Sequence, residues 1–465
     1  MPMSSSLHYL TIRQAAAHIA CGELSPVELV EACLARLDVL DPSLHAFITV
    51  TAEQARHQAQ LAAREIRAGH LRGPLHGIPI AHKDMLLTAG VRTTAHSRML
   101  SAWVPDYDAG AVTRLEQAGA LCVGKTACHE FAFGSPGEDE AFPAARNPWN
   151  VAHVPGSSSS GSAVAVAAGM SMAATGTDTG GSVRHPAAAC GIVGMKPTFG
   201  RVSLHGVIPL APSMDHVGPL TRNVGDNALL LQTLAGYDPR DAASVDCAVP
   251  DYLGEIDLPI AGLRVGVPVR YLAAQQHVPE VLQAFEEAQR VLVSLGVVLC
   301  DIDPPGLDVA FDTGNVMIAY EAYRYHAENL RRTPEKMGAS FKQRLARGQA
   351  CTRQEYEMAA AQMQALRATY IALFATEVDA VISPGREAPA ETMAQLVANP
   401  TGNRSIANRI YSLTGNPAIT LPMGFSPNGL PLAIQMAAGH FCEPRLYRLA
   451  AAYERAAGWS ERHPA

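Results

Sequence analysis

The chain has 465 residues, 48% of them hydrophobic and 17% charged, which is long enough for one large α/β domain or two smaller ones with a sizeable core. Its 36 basic and 43 acidic residues give a net charge of −7, which argues against nucleic acid or an anionic membrane as the main partner. The nine cysteines are odd in number and form no C-x-x-C pair, which indicates reduced thiols rather than a disulfide framework.

The N-terminus and the apolar runs predict a cytoplasmic protein. Residues Met1 to Leu10 lack the basic and apolar regions of a signal peptide. The longest apolar run, Ala163 to Ala174, is too short to span a bilayer. We therefore expect neither export nor a membrane partner.

Helical patterns dominate the first 70 residues. They predict helices over about 11–21, 25–39 and 52–68, with Thr11 as an N-cap and Ser25-Pro26 opening the second helix. We expect these helices to form an outer layer, available as the interface of a homodimer.

From residue 78 onward, strand and helix patterns alternate, which is typical of an α/β fold. A core strand over 78–83 is followed by a helix–turn–strand unit over 111–123, and the alternation continues to about 230. After a proline-containing linker at 236–262, the pattern resumes without a clean domain break. The further predicted elements are strands at 263–267, 297–303, 379–383 and 418–423, and helical segments at 279–295, 316–374 and 444–457.

Two turns of small residues lie at 155–162 and 176–182, joined by an Ala/Val/Met segment that we expect to be buried. The second turn reads Gly-Thr-Asp-Thr-Gly-Gly-Ser. Its glycines, Gly180 and Gly181, allow positive φ and close approach of the backbone to a ligand, and consecutive N–H groups there can point at one oxygen. Ser182, at the end of this turn, is therefore a candidate nucleophile.

A serine nucleophile needs a base, and Lys83 is the best candidate. No Ser-His-Asp set is evident near Ser182, and the G-x-S-x-G elbow is absent because the sequence reads Gly-Gly-Ser-Val-Arg. Lys83 ends an apolar strand, and burial of its amine would lower the pKa enough for it to act as a neutral base.

Three motifs together resemble the amidase signature family. They are a lysine in G-x-P-x-x-x-K-D, a serine turn P-G-x-S-S-x-G-S, and G-T-D-T-G-G-S-x-R-x-P, in the family's order and spacing. Similar stretches follow at 194–203, 215–219, 414–419 and 429–431, so the likeness extends from about residue 25 to 458. Ser157 and Ser160 depart from the family's pattern because they stand where glycine is common, but no catalytic group is lost.

Carried over position by position, the resemblance implies a Ser–cis-Ser–Lys triad. Ser182 is the nucleophile, Ser158 is the bridging serine on a cis peptide, and Lys83 is the base. The residues implied for the oxyanion hole are Thr179, Gly180, Gly181 and Ser182. The residues implied to support them are Ser159, Asp178 and Arg184.

The resemblance also implies the architecture and the absence of cofactors. We expect a single large mixed β-sheet covered by helices on both faces, without cofactor or metal. One amidase domain would span 1–465, with a helical layer at 1–70, the signature core at 72–230, and 231–465 completing the sheet and covering the site.

Several residues near these motifs are candidate substrate contacts. Arg386 follows a strand end, and strand ends in α/β sheets face ligand crevices. His129-Glu130 is not a zinc motif, because H-E-x-x-H requires histidine where Phe133 stands. The candidate contacts are Cys128, Phe131, Phe133, His185 and Arg386.

These expectations favour an amidohydrolase that cleaves a C–N bond of a carboxylic amide through a Ser182 acyl-enzyme. Two alternatives stay open: a carbamate or urea-like hydrolase of the urethanase or allophanate/biuret type, and the glutaminase subunit of a tRNA-dependent amidotransferase. A non-enzymatic relative is disfavoured because Lys83 and Ser182 are both present. As partners we expect a small-molecule amide and a second copy of the chain, but no nucleic acid.

Overall fold

A computed structural model describes residues 7–136, 139–398 and 406–464. These residues form eleven strands and fifteen α-helices. The strands are β1 Phe47–Val50, β2 Pro79–Lys83, β3 Leu121–Thr126, β4 Ala173–Thr177, β5 Val193–Lys196, β6 Val217–Thr221, β7 Arg264–Val267, β8 Val298–Asp301, β9 Ala380–Pro384, β10 Ala418–Phe425 and β11 Pro431–Ala438. The helices are α1 Ile12–Ala20, α2 Pro26–Leu44, α3 Ala52–Arg67, α4 Gly110–Gln117, α5 Ser160–Ala167, α6 Arg184–Cys190, α7 Val224–Leu234, α8 Val269–Ala274, α9 Pro279–Ser294, α10 Ala310–Arg332, α11 Ala339–Ala350, α12 Arg353–Thr376, α13 Met393–Ala398, α14 Ile406–Thr414 and α15 Glu443–Ala457.

All eleven strands belong to one sheet, in the order β1-β3-β2-β4-β6-β5-β10-β11-β9-β7-β8. The neighbours β3, β2 and β4 run parallel, as do β9, β7 and β8, whereas the other neighbours are antiparallel. This confirms the expected α/β fold with one large mixed sheet.

Helices cover both faces of the sheet because successive strand residues point to opposite sides. In β2, Ile80 packs in an apolar cluster with residues of α1, α4 and α7, whereas Ala81 packs in another with residues of α2, α3 and α5. The two faces thus bury separate cores, and β2 lies between them.

The second half of the chain completes the sheet begun by the first. Strand β5 pairs with β10 at Ala418↔Lys196, and β11 then joins β10 to β9. Residues after 231 therefore extend the same sheet rather than forming a second one.

The N-terminal helices begin where the sequence predicts. Thr11 and Ser25 each form a capping box, and α2 has proline at its first position. The second helix continues past the expected end near residue 39, because Leu44 in its last turn is buried against the core. His45 ends it in a left-handed conformation, with φ 51°.

Two strands were not expected from the sequence. Strand β1 is a partly buried edge strand that pairs with β3, and β11 is a fully buried strand between β10 and β9. The β11 segment reads Pro-Leu-Ala-Ile-Gln-Met-Ala-Ala, an apolar run whose period does not distinguish a buried strand from a buried helix. Among the described helices, none combines the length and hydropathy required to cross a bilayer.

Candidate active site

Strand β2 delivers Lys83 to the interior of the site. All five residues of this strand are buried, and Lys83, its last residue, is 0% exposed. The following residue, Asp84, turns away from it: its carboxylate lies 3.6 Å from Lys125 Nζ and accepts hydrogen bonds from Thr94. The opposing orientation of these neighbours follows the alternation of side chains along a strand.

The amine of Lys83 lies between two hydroxyl groups. Its Nζ is 2.9 Å from Ser158 Oγ and 2.7 Å from Thr177 Oγ1. Burial lowers the pKa of Lys83 to about 8, against the opposing effect of the nearby carboxylates of Asp178 and Asp215. An amine with this pKa is partly neutral at mildly alkaline pH and can accept the proton of a serine hydroxyl.

The serine turn places Ser158 next to this amine. The peptide bond between Ser157 and Ser158 is cis, as the resemblance implies. Helix α5 starts at Ser160, within the stretch expected to be a turn, and all eight of its residues are buried. The apolar segment between the two turns is therefore a buried helix followed by the buried strand β4, which together anchor both turns.

Ser159 ties the two turns together. Its Oγ accepts a hydrogen bond from Thr177 N and donates one to Thr177 O, each at 3.2 Å. Its backbone N–H donates to Ser182 O at 3.1 Å. These bonds hold the end of β4 and the carbonyl of Ser182 beside the serine turn.

Asp178 and Arg184 form the buried support of the glycine-rich turn. Both side chains are 0% exposed, and Arg184 Nη2 lies 2.9 Å from Asp178 Oδ1. The Asp178 carboxylate also accepts hydrogen bonds from the N–H groups of Gly181 and Val183. Burial by itself raises the pKa of Asp178, but the Arg184 guanidinium outweighs it and holds this pKa well below its usual range. The carboxylate is thus a fixed anion that shapes the turn.

Of the four residues expected to form an oxyanion hole, Gly181 has its N–H already bonded within the protein. Gly181 has φ 119°, a conformation suited to glycine, and its N–H donates to Asp178 Oδ1 at 2.8 Å. Within the described ranges, the backbone N–H groups of Thr179, Gly180 and Ser182 have no acceptor. These three amides are therefore available to an oxygen atom of a ligand.

A cavity of about 200 Å³ opens beside both turns. Ser158 and Ser182 line it, and Ser182 is the more exposed of the two. The predicted contacts that also line it are Cys128, Phe133, His185 and Arg386.

Phe131, the remaining predicted contact, does not line this cavity. It is 2% exposed and packs against Phe341 and His326, with ring centroids 5.2 and 4.4 Å away. Its neighbour His129 bonds to Gly134 O. The carboxylate of Glu130 accepts hydrogen bonds from Ser97 Oγ and Gly338 N. These contacts make the segment a structural element under the cavity.

Two histidines lie close in sequence to Lys83 and Ser182, namely His82 and the candidate contact His185, and neither titrates near neutral pH. Burial, helped by the nearby Arg386 guanidinium, lowers the pKa of His185 to about 3. Burial likewise lowers the pKa of His82 to about 3, and its Nδ1 lies 3.1 Å from Thr175 Oγ1. Both imidazoles are therefore neutral throughout the range in which Lys83 titrates.

Two further arginines line the cavity and have no motif in the sequence. Arg344 comes from α11 and Arg409 from α14, far along the chain from either turn. The sequence pointed instead to Arg386, whose Nη2 pairs with Glu391 Oε2 at 2.6 Å. Helical periodicity places Arg344 and Arg409 on helices but does not indicate which of the many helical arginines faces the site.

Comparison with known proteins gives a consistent family. A family model described as Amidase matches residues 28–447. A glutamyl-tRNA(Gln) amidotransferase subunit from Geobacter metallireducens is 40% identical, covering 97% of this chain and 98% of the relative.

Two solved structures are similar over almost their whole length. One, from work on a vestigial protein complex and the origins of an s-triazine catabolic enzyme, has TM-score 0.89 and 28% identity, covering 97% of this chain and 99% of the other. The other is the native peptide amidase of Stenotrophomonas maltophilia, with TM-score 0.85 and 32% identity, covering 98% of each chain.

The expected set of partners is wrong. We expected a small-molecule amide and a second copy of the chain, and the net charge argued against nucleic acid. A relative that matches nearly the whole chain is nevertheless named as one subunit of a glutamyl-tRNA(Gln) amidotransferase. Net charge describes the average surface of one chain. It does not report whether that chain works beside other subunits on a nucleic-acid substrate.

Proposed function

The chain belongs to the amidase family, and we propose that it hydrolyses an amide C–N bond through an acyl-enzyme on Ser182. The observation that carries the proposal is the 2.9 Å contact between the buried Lys83 Nζ and Ser158 Oγ, beside the turn that ends at Ser182. Two serine hydroxyl groups that line one cavity, the first of them bonded to a buried amine, are the groups that activation of a serine requires.

In the proposed reaction, neutral Lys83 accepts the Ser158 proton while Ser158 accepts the Ser182 proton. The Ser182 Oγ then bonds to the substrate carbonyl carbon, and the resulting oxyanion accepts hydrogen bonds from the free N–H groups of Thr179, Gly180 and Ser182. Ser158 returns a proton to the leaving nitrogen as the C–N bond breaks. Water, deprotonated through the same relay, then releases the acid from Ser182.

The relatives support a particular role for this chemistry, that of one subunit in a larger enzyme. Because the amidotransferase subunit from Geobacter metallireducens matches 97% of the chain at 40% identity, the first candidate role is that of an amide-hydrolysing subunit. In that role, the chain would release ammonia from an amide such as glutamine, and other subunits would transfer the ammonia to a tRNA-bound acyl group.

A hydrolase without an amidotransferase partner is the second candidate, supported by the structural likeness to a peptide amidase. Its further candidate substrate classes are carbamates and urea-like compounds, because Ser182 can form an acyl-enzyme with them through the same three residues.

The nucleophile is tested first. A phosphonylating inhibitor should modify wild-type protein on Ser182, as located by peptide mass spectrometry, and Ser182→Ala should remove both the adduct and all turnover with the fold intact. Ser157→Ala, a change at the same cavity outside the relay, serves as the control and should retain the adduct. An adduct on a cysteine, or turnover by Ser182→Ala, would contradict the proposal.

The setting is tested by ammonia release from glutamine, primary amides, carbamates and ureas. The purified chain is measured alone and after co-expression with candidate amidotransferase subunits and tRNA. Glutamine hydrolysis that rises at least tenfold with the partners supports the subunit role. Full activity on a simple amide, unchanged by the partners, supports the second candidate.

A further inference from the structure

The strongest feature outside the relay is the guanidinium group of Arg409. A methyl group built on Gly180 would lie 2.7 Å from Arg409 Cζ, so this cation rests directly on the turn that carries Ser182. A larger residue at position 180 would displace the guanidinium from this place. The same cation lines the cavity that contains both serines.

Arg409 forms no ion pair among the residues that the structure describes, and the Asp178 carboxylate favours its charge only from beyond ion-pair distance. Its Nε and Nη1 are buried and have no hydrogen-bond acceptor, and no ion pair involves it, in the residues that the structure describes. Its Cζ faces the ring of Phe311 at 5.3 Å. Burial lowers the pKa of Arg409 to about 10, which still leaves it charged at neutral pH.

The other charged residues described around the cavity have partners within the protein. Arg386 is neutralised by Glu391, and Arg344 donates to Ser135 Oγ at 2.8 Å. Glu140, the other acid lining the cavity, lies 3.9 Å from His96. Among the described residues, three arginines and two acids line the cavity, and the guanidinium of Arg409 rests on the turn of Ser182.

A buried cation without a partner is costly, and a carboxylate is the anion that a guanidinium fork binds best. We propose that Arg409 binds a carboxylate on the acyl part of the substrate, so that the enzyme selects amides of dicarboxylic acids over neutral amides. This inference rests on the proposed function, since it names the substrate class of the same site. The contact with Gly180 puts the carboxylate only a few bonds from the carbonyl that reacts.

The test compares two amides that differ in one charge: glutaric acid monoamide, which is an anion, and neutral glutaric diamide. The wild type should favour the monoamide in kcat/KM by about 100-fold or more, because the neutral amide leaves the guanidinium unpaired. Arg409→Gln should lose most of that preference, measured as the ratio of kcat/KM for the monoamide to kcat/KM for the diamide. Arg347→Gln, an exposed arginine on α11, is the matched control and should change neither value.

Binding separates this inference from the proposed hydrolysis. Calorimetry with glutarate and glutaric diamide on Ser182→Ala should show tighter binding of the diacid, lost in Ser182→Ala/Arg409→Gln and retained in part with Arg409→Lys. Arg409-dependent glutarate binding without turnover of either amide would uphold the inference and overturn the hydrolysis. Turnover of both amides with equal kcat/KM would overturn the inference and uphold the hydrolysis. Equal binding of glutarate with and without Arg409 would also overturn the inference. If Arg409→Gln does not fold, the wild-type ratio of kcat/KM for the two amides is the remaining test.

Discussion

The proposed chemistry depends on one amine held between two hydroxyl groups in the protein interior. Lys83 is fully buried, with Ser158 Oγ and Thr177 Oγ1 both within 3 Å of Nζ. Burial disfavours the ammonium form, and one of the two hydroxyl groups can donate to the single lone pair of the neutral nitrogen. The same side chain in water would be protonated at neutral pH and could not act as a base.

The pH dependence of activity follows from this pKa. We expect kcat/KM to rise about tenfold per pH unit below a group titrating near 8 and to level off above it, because only neutral Lys83 accepts a proton. The measurement is a pH–rate profile from 6 to 10.

Variants identify the group responsible for that rise. Lys83→Ala should remove the rising limb with most of the activity, and Lys83→Arg should not restore it, because guanidinium stays protonated. His185→Ala is the control and should keep the limb, since the pKa of His185 is lowered to about 3. Survival of the limb in Lys83→Ala would assign the base elsewhere.

The bridging serine has a separate expectation. Ser158→Ala should slow turnover by about 10²- to 10⁴-fold, the range of general acid–base groups, because it breaks the path between Lys83 and Ser182. Ser159→Ala should cost less, since Ser159 bonds to backbone at Thr177 and Ser182 and does not contact the amine. The acylation rates of the two variants are measured by stopped flow. Equal losses of rate in the two variants would argue against the relay.

At the scale of elements, Arg184 on α6 joins three segments that are distant in sequence. Besides Asp178, its guanidinium donates to Gln435 Oε1 on β11 and to Asn408 O and Ser412 Oγ on α14, each at 2.9 Å. Helix α14 also carries Arg409. The position of the proposed substrate-binding arginine therefore depends on the same buried network that shapes the turn of Ser182.

Removing Arg184 should weaken both stability and activity. Arg184→Met leaves the Asp178 carboxylate buried without its partner, for which we expect a loss of about 3–5 kcal/mol in the free energy of unfolding. Arg455→Met, which breaks an exposed ion pair with Asp257, should cost no more than about 1 kcal/mol. Urea unfolding of both variants checks this, and equal losses would contradict a structural role for the buried pair.

At the scale of the whole molecule, the continuous sheet should make the chain unfold as one unit. Strand β5 from the first half pairs directly with β10 from the second, so separating the halves would expose two central strands. We propose on this basis that residues 1–465 are one domain.

Coincident unfolding curves are the expected outcome for a single cooperative unit. Far-UV circular dichroism, tryptophan fluorescence and residual activity should all give one urea midpoint. As a second arm, fragments 1–250 and 251–465 expressed separately should each fail to show a cooperative transition. Two separated midpoints in the full chain would divide it into domains.

The sequence by itself determined the local chemistry of this protein. Local patterns predicted Lys83 and Ser182, and the resemblance to the amidase signature family added Ser158, because all three lie in short motifs. Capping residues and apolar periods likewise located most helices and the strands with clear alternation. They did not distinguish β11, whose buried run fits either period.

Tertiary structure decided which distant groups meet. It packed Phe131 against Phe341 and brought Arg344 and Arg409 to the cavity that Ser182 lines. A helical arginine gives no local sign of what it faces: the turn against which Arg409 rests, at Gly180, lies more than 200 residues earlier in the chain. Packing of α14 over the glycine turn is what turns an ordinary arginine into a candidate binding group.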